Sequence, residues 1–331
     1  MLNPDLKLND KLFDKDGEKD ATRSGYGKGL EKLGETNPNV VALSADLTES
    51  TKAEGFAKKY PERFFEVGVA EQNMAAVAAG LGVSGKIPFF SSYATFSPGR
   101  NWEQIRTTIV YNESNAKIAG HHAGLMTGPD GATHQATEDI AITRVWPKIK
   151  VFVPCDSIEA EKATVLAGEI KGAVYLRFTR DKTPIITTSE TPFEEGKAYV
   201  YWVSDSPQAS IFATGYMLYY ALCAAKELEE EGIQTEVLNI ASIKPLDTES
   251  VLESVKKTGC AVSVEDHQVA GGLGGLLAEV FSENLPTPLE RVGLKDVFGE
   301  SGKPEELLTQ FHMDTDSIKE AVKKVIKRKT T

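Results

Sequence analysis

The stretch Phe65-Glu66-Val67-Gly68-Val69-Ala70-Glu71-Gln72-Asn73-Met74 decides how the rest of the chain is read. A mostly apolar run ends at Gly68, and the small-residue run Ala75-Ala76-Val77-Ala78-Ala79-Gly80-Leu81-Gly82 follows Met74. The first half reads as a short strand. The second reads as a buried helix with close neighbours. Glu71 stands where strand hands over to helix. A carboxylate there meets free backbone N–H groups and the positive end of the helix dipole. Taken alone, this describes an ordinary helix-start glutamate.

Outward from this point the same alternation repeats. A helical pattern begins at Thr22, with Tyr26, Leu30 and Leu33 on one face, and Val40-Val41-Ala42-Leu43 reads as a buried strand. Helical stretches near 51–59, 70–83, 101–112, 136–144 and 157–170 alternate with strand-like runs near 64–67, 87–90, 116–120, 150–153 and 173–178. Short apolar runs separated by helices imply a parallel sheet covered on both faces. A linker from Asp181 to Ala198 carries Pro184 and Pro192, and the alternation then resumes from Ala209. The expected fold is α/β with two domains, each a mostly parallel sheet flanked by helices. Residues 1–190 form the first, with a polar surface arm over 1–20, and 191–331 the second.

The 331 residues are enough to bury two such cores. The N-terminus has no apolar segment of the secretory kind, and no run approaches membrane-spanning length. Cys155, Cys223 and Cys260 are far apart, with no Cys-x-x-Cys pair. Neither a disulfide framework nor a zinc site is implied, and a cytoplasmic setting is expected. A net charge of −11 argues against nucleic-acid binding. The C-terminal lysines read as the solvated end of a last helix.

Ligands of parallel sheets lie beyond the carboxyl ends of the strands. Four loops there are unusually polar: Ser44-Ala45-Asp46-Leu47-Thr48-Glu49-Ser50; the segment with Glu71; Ser91-Ser92-Tyr93-Ala94-Thr95-Phe96-Ser97-Pro98-Gly99-Arg100; and the long loop from Gly120 to Gln135. Three of the five histidines, His121, His122 and His134, sit in the last. Adjacent histidines are poor co-ligands of one ion, and Asp130 adds only one carboxylate, so a metal centre is not expected. His, Asp and Thr at a strand end suit a hydroxylated or phosphorylated substrate. The run Gly271-Gly272-Leu273-Gly274-Gly275 lacks dinucleotide-binding spacing and reads as close helix packing.

Val69-Ala70-Glu71-Gln72-Asn73, Tyr93-Ala94-Thr95-Phe96 and Gly128-Pro129-Asp130-Gly131-Ala132-Thr133-His134-Gln135, with Ser44-Ala45-Asp46-Leu47, resemble the transketolase family of thiamine diphosphate enzymes in order and spacing. The likeness runs from Ala21 into the second domain, where Ile243-Lys244-Pro245-Leu246-Asp247 and Glu265-Asp266-His267 take part. It covers the rear half of a full transketolase. The Gly-Asp-Gly segment, with a following Asn, that marks the diphosphate- and magnesium-binding half is absent from this sequence. The resemblance therefore implies a pyrimidine-binding domain followed by a transketolase C-terminal domain, together the C-terminal subunit of a split transketolase. It implies thiamine diphosphate and Mg2+, or another divalent ion, held mainly by an N-terminal-half partner. A two-plus-two heterotetramer acting on sugar phosphates is expected.

By the same resemblance, Glu71 matches the glutamate that hydrogen-bonds the aminopyrimidine ring, and Phe96 the aromatic that stacks on it. Asp46 and Leu47 match positions lining the cofactor cleft. His134 matches the histidine at the substrate hydroxyl, and Asp130 an aspartate at another. Arg23, Ser50, His122 and Arg180 match the sugar-phosphate cluster, with Arg177 an alternative to Arg180. Two guanidiniums suit phosphate oxygens on chemical grounds as well. The segment Phe96–Arg100 is shorter than in animal members, which leaves a second stacking aromatic unassigned. Rival readings are a deoxyxylulose-phosphate synthase-like enzyme, a 2-oxo acid dehydrogenase beta subunit and a non-catalytic interaction subunit.

Overall fold

The computed structural model describes residues 1–329. It contains two α/β domains with mostly parallel sheets. The first sheet has seven strands, in the order Ser242–Lys244, Lys150–Phe152, Val174–Arg177, Lys117–His121, Ile87–Tyr93, Val40–Ser44 and Phe64–Glu66. All pair in parallel except the edge strand Ser242–Lys244, which runs antiparallel to Lys150–Phe152. That edge strand comes from beyond the linker, so the two halves of the chain share a sheet. The inner strands Val40–Ser44, Lys117–His121 and Val174–Arg177 are buried along their whole length, as expected where helices cover both faces.

The second sheet has the order Leu289–Leu294, Ala261–Gln268, Ala209–Ala213, Thr235–Asn239 and Tyr199–Trp202, with only the last antiparallel. Helix Thr315–Lys329 packs on this sheet through Ile318, Val322 and Val325. Its basic side chains meet acidic neighbours, among them Lys319 with Glu227 and Glu231, and Lys324 and Arg328 with Glu290.

Two segments depart from the sequence reading. The N-terminal arm over 1–20 is not purely a polar surface arm. Leu6 and Leu12 are buried in the core of the second domain beside Trp202. Asn3 N donates to Tyr201 O at 2.9 Å, and Asn9 N to Ile186 O at 2.9 Å. The high polar content of 1–20 masks a leucine set that removes apolar surface from water. Within 101–112, a short α-turn gives way to a π-helix over Ile105–Tyr111.

Because the first sheet is parallel, its polar loops all leave from one edge. The chain passes from Val40–Ser44 to Phe64–Glu66 on one side, then returns to Ile87–Tyr93 on the other. This reversal opens a crevice beyond the strand ends.

Candidate active site

Helix Glu71–Val83 starts without a side-chain cap. The Glu71 carboxylate is 1% exposed and accepts a hydrogen bond from Arg100 Nη1 at 2.6 Å. Its backbone carbonyl accepts from Asn101 Nδ2 at 3.0 Å, tying the helix start to the following loop. The guanidinium carbon of Arg100 also lies 4.5 Å from the centre of the Phe96 ring. A planar cation thus stacks on Phe96 while donating to Glu71. A buried carboxylate beside an open ring face can also receive a flat, nitrogen-bearing aromatic ring. The loop gave no sequence reason to single out Arg100, apart from an arginine four residues after an aromatic.

Phe96 continues into a ring cluster. Tyr93 lies 5.9 Å from it in a stacked arrangement, and His134 meets it edge-on at 5.5 Å. Tyr93 stacks on His122 at 3.9 Å. His134 Nδ1 is 2.8 Å from Thr133 Oγ1, so this contact does not use Nε2. His121 instead turns into the core between Tyr26 and Phe178.

Beyond Tyr93 lies a cationic group. Arg23 Nη1 donates to Ser50 O at 2.8 Å and lies 3.1 Å from His122 Nε2. Ser50 enters through its carbonyl, not its hydroxyl. Arg180 Nη1 donates to Thr127 O at 3.1 Å, and its Nη2 is 3.8 Å from Asp130 Oδ1. Burial and the nearby Arg180 charge hold Arg23 below its ordinary value. Burial, then Arg23 and Arg180, push His122 down to about 3, so its imidazole is neutral near pH 7. His122 Nδ1 and Arg23 Nε are buried and have no hydrogen-bond partner among the described residues. An unspent guanidinium N–H with a second arginine nearby is suited to an oxyanion.

Arg177 is elsewhere. Its Nε donates to Asp139 Oδ2 at 2.8 Å, deep between the domains. Asp46 and Leu47 follow strand Val40–Ser44 at the same sheet edge. Asp46 N donates to Glu66 Oε1 at 2.6 Å, and no direct bond joins this loop to Glu71. Asp46 and His122 both have positive φ, 62° and 52°. A non-glycine residue in that region costs of order 1–3 kcal/mol and recurs at ligand sites.

Residues 18–185 match the family model for the transketolase pyrimidine-binding domain, and residues 198–318 that for the transketolase C-terminal domain. The chain belongs to the transketolase family. A Methanocaldococcus jannaschii protein named for the C-terminal section of transketolase is 44% identical over 92% of this chain and 96% of its own. A split-gene transketolase solved as an inactive β4 tetramer is 46% identical and superposes with a TM-score of 0.87, covering 93% of this chain and 99% of that one. Human transketolase is 38% identical over 94% of this chain, which spans 50% of the human enzyme. The family is thiamine diphosphate-dependent.

Proposed function

We propose that the chain is the C-terminal subunit of a transketolase, moving a two-carbon ketol unit from a ketose phosphate to an aldose phosphate. It works only with an N-terminal-half partner that supplies the diphosphate and divalent-ion site. One observation carries this reading. Along a single sheet edge, the Glu71–Arg100–Phe96 arrangement, suited to a pyrimidine ring, adjoins the Arg23–His122–Arg180 group, suited to a phosphate. Thiamine diphosphate, when bound, supplies the carbanion chemistry. Glu71 then holds or releases a proton at the ring nitrogen, and Phe96 fixes the ring plane. Arg100 vacates that position and is free to do so, being 46% exposed.

Arg23, His122 and Arg180 bind the sugar phosphate at the far end, which fixes the reach of the chain of hydroxyls. His134 Nε2 exchanges a proton with a substrate hydroxyl, and Asp130 accepts from another. Ser50 contributes by holding Arg23; Asp46 and Leu47 close the cleft. Mg2+ sits with the partner. Two chains of each kind make the working assembly, a reading supported by the relative that is inactive as a β4 tetramer. The test is reconstitution with a partner bearing Gly-Asp-Gly, plus Mg2+ and thiamine diphosphate. Ketol transfer between sugar phosphates is expected. No transfer with any of several donors sinks the reading, and CO2 release from pyruvate points to a synthase instead.

A further inference from the structure

The motif Glu265-Asp266-His267 plays no part in the chemistry above, yet all three side chains are buried. It lies on strand Ala261–Gln268 of the second domain. Asp266 Oδ1 accepts from Leu125 N at 3.0 Å, and Oδ2 from the Tyr216 hydroxyl at 2.8 Å. Leu125 opens the 3-10 segment Leu125–Asp130, which leads to His134.

The seat continues along the loop. Gln135 Nε2 donates to Gly128 O at 3.2 Å and to Glu300 O at 2.9 Å. Gln268 N donates to Thr137 O at 2.7 Å. Arg177 Nη2 bridges Ala136 O at 3.2 Å and Asp266 O at 2.8 Å. Two glycines mark where the approach is closest. A Cβ at Gly124 would fall 1.9 Å from Asp266 Oδ2, and one at Gly131 would fall 2.4 Å from Ser301 Oγ. Both also have positive φ, 73° and 74°, which L side chains rarely adopt.

A loop with several glycines is conformationally free and cannot by itself hold two side chains to the tolerance catalysis needs. Here both ends and the middle rest on the other domain. We infer that Asp266 is a positioning residue: through Leu125 N it lets the C-terminal domain set the loop that presents Asp130 and His134 to the sugar. This rests on the reading of that loop as sugar-binding.

The test uses Asp266→Ala, Asp266→Asn and Tyr216→Phe in the assembled enzyme. Asp266→Ala loses the bond to Leu125. A misplacement of this kind lowers kcat/KM for sugar phosphates by about 10–100-fold, with affinity for thiamine diphosphate within about twofold of wild type. Asn retains one acceptor and restores part of the loss. Tyr216→Phe leaves the Leu125 bond and keeps near-normal kinetics, although a buried carboxylate oxygen loses its donor. In the free chain, hydrogen exchange over 125–135 quickens in Asp266→Ala while the central strands keep their protection.

Unchanged exchange in Asp266→Ala overturns the seat, and faster exchange with unaltered sugar kinetics overturns the positioning role. If Asp266→Ala does not fold, Asp266→Asn decides by the same two readouts. Should wild type transfer no ketol unit, the functional reading fails, and exchange in the free chain still decides whether Asp266 seats the loop.

Discussion

Both domains are parallel sheets built the same way, yet their carboxyl edges differ. At the second sheet Glu265, Thr214 and Asp266 are spent on internal bonds. Glu265 caps the next helix through Leu273 N and Gly274 N at 2.6 and 2.8 Å, Thr214 Oγ1 donates to Ile240 O, and Asp266 is satisfied by Leu125 and Tyr216. At the first sheet the edge is open. Arg23 Nε and His122 Nδ1 have no hydrogen-bond partner, and Glu71 is held by an arginine that is nearly half exposed. The second domain also holds unpaired buried atoms, Asn239 Oδ1 and Ser263 Oγ among them, so what sets the first edge apart is its cationic group and the half-exposed partner of Glu71. On the proposed function, the same architecture serves as a reaction edge in one domain and as a support in the other.

The sharpest break of this contrast is Glu71→Ala. It removes the proton partner at the open edge, and turnover of the reconstituted enzyme should fall by about 10²–10⁴-fold with assembly intact by size-exclusion chromatography. Near-normal turnover would take Glu71 out of the mechanism. On the supporting side, Arg177→Ala leaves Asp139 buried without its cation. The free chain should lose about 3–5 kcal/mol in urea denaturation. A loss under 1 kcal/mol would mean that the buried Arg177–Asp139 ion pair is not a structural anchor. Arg23→Ala comes next. Charge-assisted bonds of this type contribute about 1.5–3 kcal/mol, so the KM for phosphorylated ketoses should rise by roughly tenfold or more while that for an unphosphorylated ketose stays put. Equal rises for both would remove Arg23 from phosphate recognition.

Much of the open edge was legible in the sequence because its elements are local. Val40–Ser44 and Ile87–Tyr93 announce themselves as apolar runs, and polar loops at their ends stand out against them. What the residues alone could not give was pairing at a distance. The edge strand Ser242–Lys244 crosses into the first sheet over a partner some 90 residues earlier, and three residues carry too little periodicity to be seen. The leucines of the arm were hidden by their polar neighbours. Arg100 and Asp266 stood in quoted segments without a role for the same reason: each bonds a partner from another loop or another domain. The choice between Arg177 and Arg180 likewise depended on which way two nearby side chains leave one strand end.

The smallest expected effect separates the edges by pH. His122 and His267 are both buried and both held low, to about 3 and about 4, in each case chiefly by burial. An unfolded histidine titrates near about 6.5. Since the folded value lies below that, the unfolded chain takes up protons first as pH falls. The contribution is fully present above about pH 6.5 and is lost on the way down towards the folded value. Between about pH 6.5 and 5.5, His122→Gln should lose on the order of 1 kcal/mol less stability than wild type. The two histidines then part company when an anion is added. Phosphate bound beside Arg23, His122 and Arg180 should raise the stability of the wild-type chain by mass action. It should raise that of His122→Gln less, while His267→Gln keeps the full gain. Urea melts at both pH values, with and without inorganic phosphate, measure these differences. An equal phosphate gain in His122→Gln and wild type would place the anion away from His122 and dissolve the contrast between the edges.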